Sequence, residues 1–286
     1  MSASQVFYIT GTSSGFGREL ALILSQRGHK VIATARTISK IEDLGKVDNI
    51  KIQQLDVTDS FDILQKKVEE AISFFGTVDV LVNNAGYSQT GCFEELTDGE
   101  IRKQYDTNVF GTVNLTRAFL PHFRSTEKES IICTITSAGG LVSFPTSAAY
   151  TSTKFALEGF FEGLDGELKA SNLPIRVLII EPGGYKTNFI GNIIKSENQI
   201  DVYNPIKEQI HQLFTEYDTT TGGNVLIGSK LIADALLKQG FAAGKDIPLR
   251  LPIGSDCINW SVEKFKKTVD IFEEWRLFAA ESDPKN

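Results

Sequence analysis

The 286-residue sequence predicts an α/β fold: a doubly wound, Rossmann-like parallel sheet with helices on both faces, built as one domain. Three observations predict it. Short Val/Ile-rich runs alternate with amphipathic stretches at helical spacing. A glycine-rich turn stands between the first such run and the first helix. Most of the residues that stand out fall at the ends of the apolar runs: Gly11, Arg36, Asp56, Asn83, Ser137 and Pro182. A parallel sheet gathers strand ends of that kind along one edge, where ligands bind.

Val6-Phe7-Tyr8-Ile9 is too short for a helix and reads as a buried strand. Thr10-Gly11-Thr12-Ser13-Ser14-Gly15-Phe16-Gly17 follows as a turn, then a helix near 15–27. Further strands are expected near 30–35, 50–55, 78–83, 129–136 and 175–181. Further helices are expected near 60–75, 98–123 and 148–171. The pattern weakens from 187 to 240, which reads as a partly helical lid over a substrate; an additional surface helix pair is the alternative. Ser229–Gln239 looks helical. So does Ser255–Ala280, within a C-terminal extension over 245–286. Its Trp260, Phe265, Val269, Phe272, Trp275 and Phe278 lie on or near one face, a stripe suited to core or subunit packing.

Twenty-nine basic against thirty-six acidic residues give a net charge of −7, which argues against nucleic acid or an anionic membrane as partner. Cys92, Cys133 and Cys257 are too scattered for a metal cage or a disulfide framework, and the three histidines show no metal spacing. No catalytic metal is expected. No apolar run reaches membrane-spanning length, and a first strand by about Val6 leaves no room for a signal peptide. The last residues, Asp283-Pro284-Lys285-Asn286, match no retention signal, so a cytoplasmic location is expected. The sequon Asn114-Leu115-Thr116 falls in an expected helix and reads as accidental.

Tyr150 and Lys154 are four apart on the expected helix, so both project from one face. A cation beside a phenol favours the phenolate and makes the hydroxyl a better proton donor and acceptor near neutrality. In the turn, the helix amino end offers unpaired N–H groups, and the glycines allow a pyrophosphate close to backbone. Its spacing is G-x-x-x-G-x-G rather than G-x-G-x-x-G.

Taken in order, Thr10–Gly17, Asp56-Val57, Asn83-Asn84-Ala85-Gly86, Asn108, Ser137, Tyr150/Lys154 and Pro182–Thr187 resemble the short-chain dehydrogenase/reductase superfamily, in its compact single-domain branch. The late segment Ile247–Asp256 is similar to that of oxidoreductases related to 17β-hydroxysteroid dehydrogenases. The resemblance implies a nicotinamide cofactor held by Gly11, Ser13, Ser14, Gly15, Phe16 and Gly17. An acid at the second strand end usually goes with NAD; here Ala35 and Arg36 stand there, and an arginine fork suits a 2′-phosphate, so NADPH/NADP+ is expected. Asp56 and Val57 are implied at the adenine, with helix capping as the other reading of Asp56. Asn83, Ala85 and Gly86 are implied along the cofactor, the first Asn also holding the sheet. Pro182, Gly183, Tyr185 and Thr187 are implied at the nicotinamide, with Tyr185 standing where relatives usually have Val.

The implied catalytic set is Ser137, Tyr150, Lys154 and Asn108. Ser137 is selected over Thr136 by its thirteen-residue gap to Tyr150. Tyr150 gives a proton to a carbonyl oxygen, Lys154 lowers its pKa and binds ribose, and Asn108 anchors a proton-relaying water. Cys92, Phe93, Phe144, Tyr185 and Phe189 are candidates for a substrate pocket. Their apolar character suggests a small hydrophobic carbonyl or alcohol substrate. A steroid- or retinol-type alcohol dehydrogenase and a non-catalytic NADP(H) sensor are the alternatives. Relatives often pair through their two long helices, so a homodimer or homotetramer is expected.

Overall fold

The computed structural model describes residues 4–186, 193–216 and 222–284. Seven parallel strands form the central sheet: β1 Val6–Ile9, β2 Lys30–Ala35, β3 Ile50–Gln54, β4 Val80–Asn83, β6 Ser130–Ile135, β7 Ile175–Pro182 and β11 Arg250–Ile253. Their order is β11-β7-β6-β4-β1-β2-β3, so the chain winds outward both ways from β1 and β4. Four two-residue strands lie outside it. β5 Gln89–Thr90 pairs with β9 Ile194–Lys195, and β8 Tyr185–Lys186 pairs with β10 Gly223–Asn224. The helices are α1 Gly15–Gln26, α2 Phe61–Phe75, α3 Asp98–Tyr105, α4 Thr112–Ser125, α5 Ala148–Ala170, α6 Asn204–Glu216, α7 Val225–Leu237, α8 Ser255–Glu274 and α9 Arg276–Ala280.

Alternation along β1 builds both faces of the core. Phe7 and Ile9 join Leu20 and Leu24 of α1 and Ile232 of α7. Val6 and Tyr8 point the other way, toward Leu64 of α2, Leu115 and Phe119 of α4 and Phe161 of α5. Tyr8 is fully buried, and its hydroxyl donates to Gln53 Oε1 at 2.8 Å. Burial without that partner would leave an unmet donor. Burial also pushes its phenol far above the ordinary range. Phe119 stacks between Tyr8 and Phe123, with ring centroids 4.9 and 5.5 Å away.

All six expected strands form. The seventh, β11, lies in the segment Ile247–Asp256, and its short Arg-Leu-Pro-Ile run shows no alternation to detect. The expected helix over 98–123 is instead three pieces. α3 starts on a capping box in which the Thr97 and Glu100 side chains satisfy each other's backbone N–H. It then opens into a wide π turn over Asp106–Gly111 before α4 begins. Such turns add a residue to the helix and concentrate at functional sites. The expected Ser255–Ala280 helix divides at Trp275 into α8 and α9. Its aromatic stripe is not core: Val269, Phe272, Trp275 and Phe278 are each more than half exposed. No helix among the described residues is long and apolar enough to cross a membrane.

The π turn requires glycine at its end. A Cβ on Gly111 would lie 2.8 Å from both the Val57 carbonyl oxygen and Val57 Cγ2. Gly111→Ala is therefore expected to cost about 1–3 kcal/mol, the range for overpacking a dense interior. Urea unfolding should show a lower midpoint with an unchanged slope. An unchanged midpoint would mean that the contact between Gly111 and Val57 yields more easily than its spacing indicates.

Candidate active site

The glycine turn follows β1 and runs into α1. Gly11 has φ +70° and Gly15 φ +59°, backbone that side chains with a Cβ rarely adopt. A Cβ on Gly17 would lie 2.5 Å from Asn84 Nδ2 and 2.7 Å from the Gly11 carbonyl oxygen. Asn84 is the latch: its Nδ2 donates to the carbonyls of Thr10 and Gly11 at 2.9 and 3.1 Å. In return Thr10 Oγ1 accepts from the amides of Asn84 and Ala85, both at 2.9 Å. The β1 and β4 ends are thus stitched together. The other side of the turn is tied to β2, since Thr12 N and Oγ1 both donate to the Thr34 carbonyl.

The N-cap residue of α1, Ser14, makes no side-chain cap, and the first helical turn carries no acid. Among the described residues no carboxylate bonds to its amides, so the cradle suits an anionic group. Ser13 is exposed beside it, and Phe16 lies in the first turn of α1. Arg36 follows β2 and is exposed; Gln54 Nε2 donates to its carbonyl at 3.1 Å, and among the described residues its guanidinium makes no ion pair. Asp56 Oδ1 accepts from Thr58 N and Oγ1 at 3.0 and 2.7 Å. It does not cap α2, whose N-cap is Ser60. Val57 is buried beside Gly111.

Asn83 and Asn84 divide their work. Asn83 is buried, and its Nδ2 reaches Thr116 Oγ1 of α4 at 2.9 Å and Thr134 Oγ1 of β6 at 3.4 Å. Gly86 approaches Asn108 so closely that a Cβ would lie 3.1 Å from Oδ1. Asn108, 1% exposed in the π turn, accepts from Tyr87 N at 3.1 Å and donates to the Tyr87 carbonyl at 3.0 Å. Its Nδ2 also donates to Thr153 Oγ1 at 3.1 Å, reaching α5 between Tyr150 and Lys154.

Thr136 and Ser137 follow the end of β6, and their hydroxyls find different partners. Thr136 Oγ1 is buried, donating to Glu158 Oε1 at 2.7 Å and Ile180 O at 3.1 Å. Ser137 Oγ accepts from Gly139 N at 3.0 Å and is hydrogen-bonded to the Tyr150 phenol. Burial pushes that phenol up to about 12, and the Ser137 bond pulls it back. Lys154 is 7% exposed; Nζ donates to the Ile135 carbonyl at 2.9 Å and lies 5.7 Å from the Tyr150 ring centroid. Burial lowers it to about 8, opposed by the Glu158 carboxylate. The expected lowering of the tyrosine by Lys154 thus differs from what is found. The hydroxyl is tuned by Ser137, while the lysine is itself strained toward neutrality.

Pro182 ends β7. Gly183 N donates to the Ile253 carbonyl at 2.9 Å, and Gly184 N to Asp256 Oδ2 at 2.7 Å. Asp256, which sequence reasoning gave no role, holds this turn from the start of α8. Tyr185 packs edge-on against Phe16 at 4.9 Å, in a slot floored by Gly223 and Gly228. It thus bridges the glycine turn and α7. Phe93 is 81% exposed and stands out from any pocket wall. Cys92 is buried, its amide donating to Glu95. Phe144 meets Trp260 of α8 edge-on at 5.1 Å, a contact between distant segments that no local pattern signals. Thr187 and Phe189 lie outside the described residues.

The segment expected as a lid is fastened to the body over its described part. Buried Glu95 accepts from Cys92 N, Ile200 N and Lys207 Nζ, and Glu100 accepts from Ser196 Oγ and Glu197 N. These partners hold both carboxyls below the usual carboxylate range against the opposing effect of burial.

The family model described as short chain dehydrogenase matches residues 5–198. A Bacteroides thetaiotaomicron protein named 3-ketodihydrosphingosine reductase is 41% identical over 188 residues, 66% of each chain and so less than its whole length. Oxidoreductase BOA17 of Botryotinia fuckeliana is 31% identical over 96% of this chain and 97% of its own. A short-chain dehydrogenase from Streptomyces avermitilis superposes with a TM-score of 0.86 at 33% identity, covering 99% of this chain and 100% of that one. Sequence, strand order and site geometry agree: this chain belongs to the short-chain dehydrogenase/reductase superfamily of oxidoreductases.

Proposed function

We propose that the protein is an NADPH-dependent carbonyl reductase that converts hydrophobic ketones or aldehydes to alcohols, reversibly. The observation that carries this reading is the Ser137–Tyr150–Lys154 cluster at the strand ends, beside an uncapped helix amino terminus. Gly11, Gly15 and Gly17 leave the room a pyrophosphate needs, and the α1 amides supply its donors. Arg36, exposed and without an ion pair, would take the 2′-phosphate that distinguishes NADP from NAD. Among structural neighbours, ElxO was solved with NADP bound (26% identity, TM-score 0.70) and a Brucella melitensis 3-ketoacyl-(acyl-carrier-protein) reductase with NADH (25%, 0.72). Arg36 supports the NADP reading for this chain. The name of the Bacteroides relative specifies a ketone as substrate.

When bound, the nicotinamide supplies the hydride. The chain's own residues do the rest. Ser137 and Tyr150 hydroxyls converge on the substrate carbonyl oxygen, and Tyr150 Oη gives up its proton as alkoxide character develops there. Burial keeps the phenol protonated until then. Lys154, held by the Ile135 carbonyl, provides positive charge beside the departing proton. Asn108 fixes the Tyr87 backbone and Thr153, and so sets the pitch of α5. Phe144 and Trp260, packed edge-on, would offer an apolar surface to the substrate.

Oxidation of NADPH by a panel of aromatic and aliphatic ketones tests the reading directly. Turnover with apolar ketones is expected, with a much lower kcat/KM for NADH. Arg36→Asp should weaken NADPH tenfold or more while sparing NADH, since about 1.4 kcal/mol corresponds to a factor of ten. Equal loss for both cofactors would remove the 2′-phosphate contact. The pH profile is a second expectation. Folding lowers Lys154 to about 8, so its ammonium is present below that pH and lost above it. The reduction rate should therefore fall with a one-proton slope as pH rises through about 8. A rate that holds to pH 10 would show that the lysine charge is not required.

A further inference from the structure

Helix α8 leaves the body of the protein partway along its length. Cys257 and Ser261 are buried, but every residue from Val269 to Pro284 is exposed. The projecting arm is not polar. Val269, Ile271, Phe272, Trp275, Leu277 and Phe278 are each more than half exposed. Apolar residues bare on an arm of this kind mark an interaction surface.

Its residues are spaced for a second helix. Ile258, Val262, Phe265, Val269 and Phe272 recur at alternating steps of four and three, the seam of a coiled coil, and all five are exposed. The root of that seam borders a hollow. A cavity of about 550 Å³ opens over Glu181, between the start of α5, β11 and α8, and its walls include Leu141, Phe155, Val262 and Phe265. One molecule thus carries an apolar ridge on the arm and an apolar hollow at the arm's root. Charge divides the helix in the same way. From Val262 to Thr268, Lys264, Lys266 and Lys267 outnumber Glu263; from Val269 to Arg276, Asp270, Glu273 and Glu274 outnumber Arg276. Lys267 pairs with Glu263 and Arg276 with Glu273, which leaves Lys266, Asp270 and Glu274 with no ion pair among the described residues.

We propose that the arm is the interface of a symmetric dimer, in which α8 of one copy lies antiparallel along α8 of a second and each arm covers the other's hollow. The antiparallel direction sets ridge over hollow and the lysine-rich root beside the acidic arm; a parallel pair would set like charge against like. A two-fold axis near Asp270 and Ile271 brings Val269 against Phe272 of the second copy and Lys266 beside its Glu273, each contact made twice. A self-complementary contact of this kind closes on itself and gives a dimer rather than a fibre. The acidic arm also disfavours a membrane of anionic lipid as the occupant. Phe155 follows Lys154 on α5, so each arm would pack against the helix that carries the other copy's candidate catalytic pair.

Sedimentation equilibrium of the full chain over a wide range of concentration tests this. The wild type should sediment at an even multiple of one chain's mass. Phe272→Asp, at an exposed position, should halve that mass by weakening association about thirtyfold or more, the scale of a buried interface aromatic. Its circular dichroism should match the wild type. Lys266→Glu and Glu273→Lys should each weaken association about fivefold or more, since each sets two like-charge pairs across the axis. The double variant Lys266→Glu/Glu273→Lys should regain wild-type association, which contacts within one chain would not produce. A monomeric wild type would overturn the proposal, whether or not its arm binds phosphatidylcholine vesicles. So would an assembly that Phe272→Asp leaves intact, as pairing through α4 and α5 alone would give, or a double variant as weak as the singles.

Discussion

The site rests on how one lysine is held inside a sheet-and-helix interior. Burying an ammonium costs far more than burying a hydroxyl, and the chain meets that cost locally. Lys154 takes the Ile135 carbonyl, which is available because β6 ends there and the chain turns into the short helix at Ala138–Gly140. Glu158 lies one turn along on the same helix and opposes the loss of charge. With Lys154 pinned, α5 cannot rotate, and Tyr150 is delivered to Ser137. Asn108 then fixes α5 a second time through Thr153. The same clamp explains the π turn, because a regular helix over 98–123 would leave no widened turn at Asn108 from which to bridge Tyr87 and α5.

Much of this was legible in the sequence because it is written in local patterns. The glycine turn between Val6–Ile9 and α1 announces strand, turn and helix within twenty residues. Tyr150 and Lys154 declare themselves by helical spacing, and the six strands other than β11 by short β-branched runs. What was not legible depends on contacts between distant segments. Asn84 reads like Asn83, yet one latches the glycine turn while the other spans β4, β6 and α4. Thr136 and Ser137 offer the same hydroxyl chemistry, and only their contacts beyond the end of β6 separate the one buried on Glu158 from the one beside Tyr150. Tyr185 could have faced substrate; its turn toward Phe16 is set by Gly223 and Gly228, about forty residues away.

The C-terminal extension has two roles that composition alone does not separate. Its start is structural: Asp256 holds Gly184, and β11 closes the sheet edge against β7. Farther along, α8 sends Trp260 to Phe144 and lines the cavity over Glu181. Beyond that point its apolar residues are open to solvent, with Phe272 67% and Phe278 72% exposed. An exposed apolar surface of this kind is uncommon on a monomer.

The central claim is that Tyr150 supplies the proton in a carbonyl reduction. The most direct measurement is single-turnover NADPH oxidation with a reducible ketone, comparing wild type and Tyr150→Phe at matched NADPH saturation. The substitution removes one oxygen and leaves the ring that packs beside Lys154. The account predicts that the variant binds NADPH normally and that its reduction rate falls by 10²-fold or more, in line with the loss of a positioned general acid. A variant that reduces the ketone at close to the wild-type rate would contradict it.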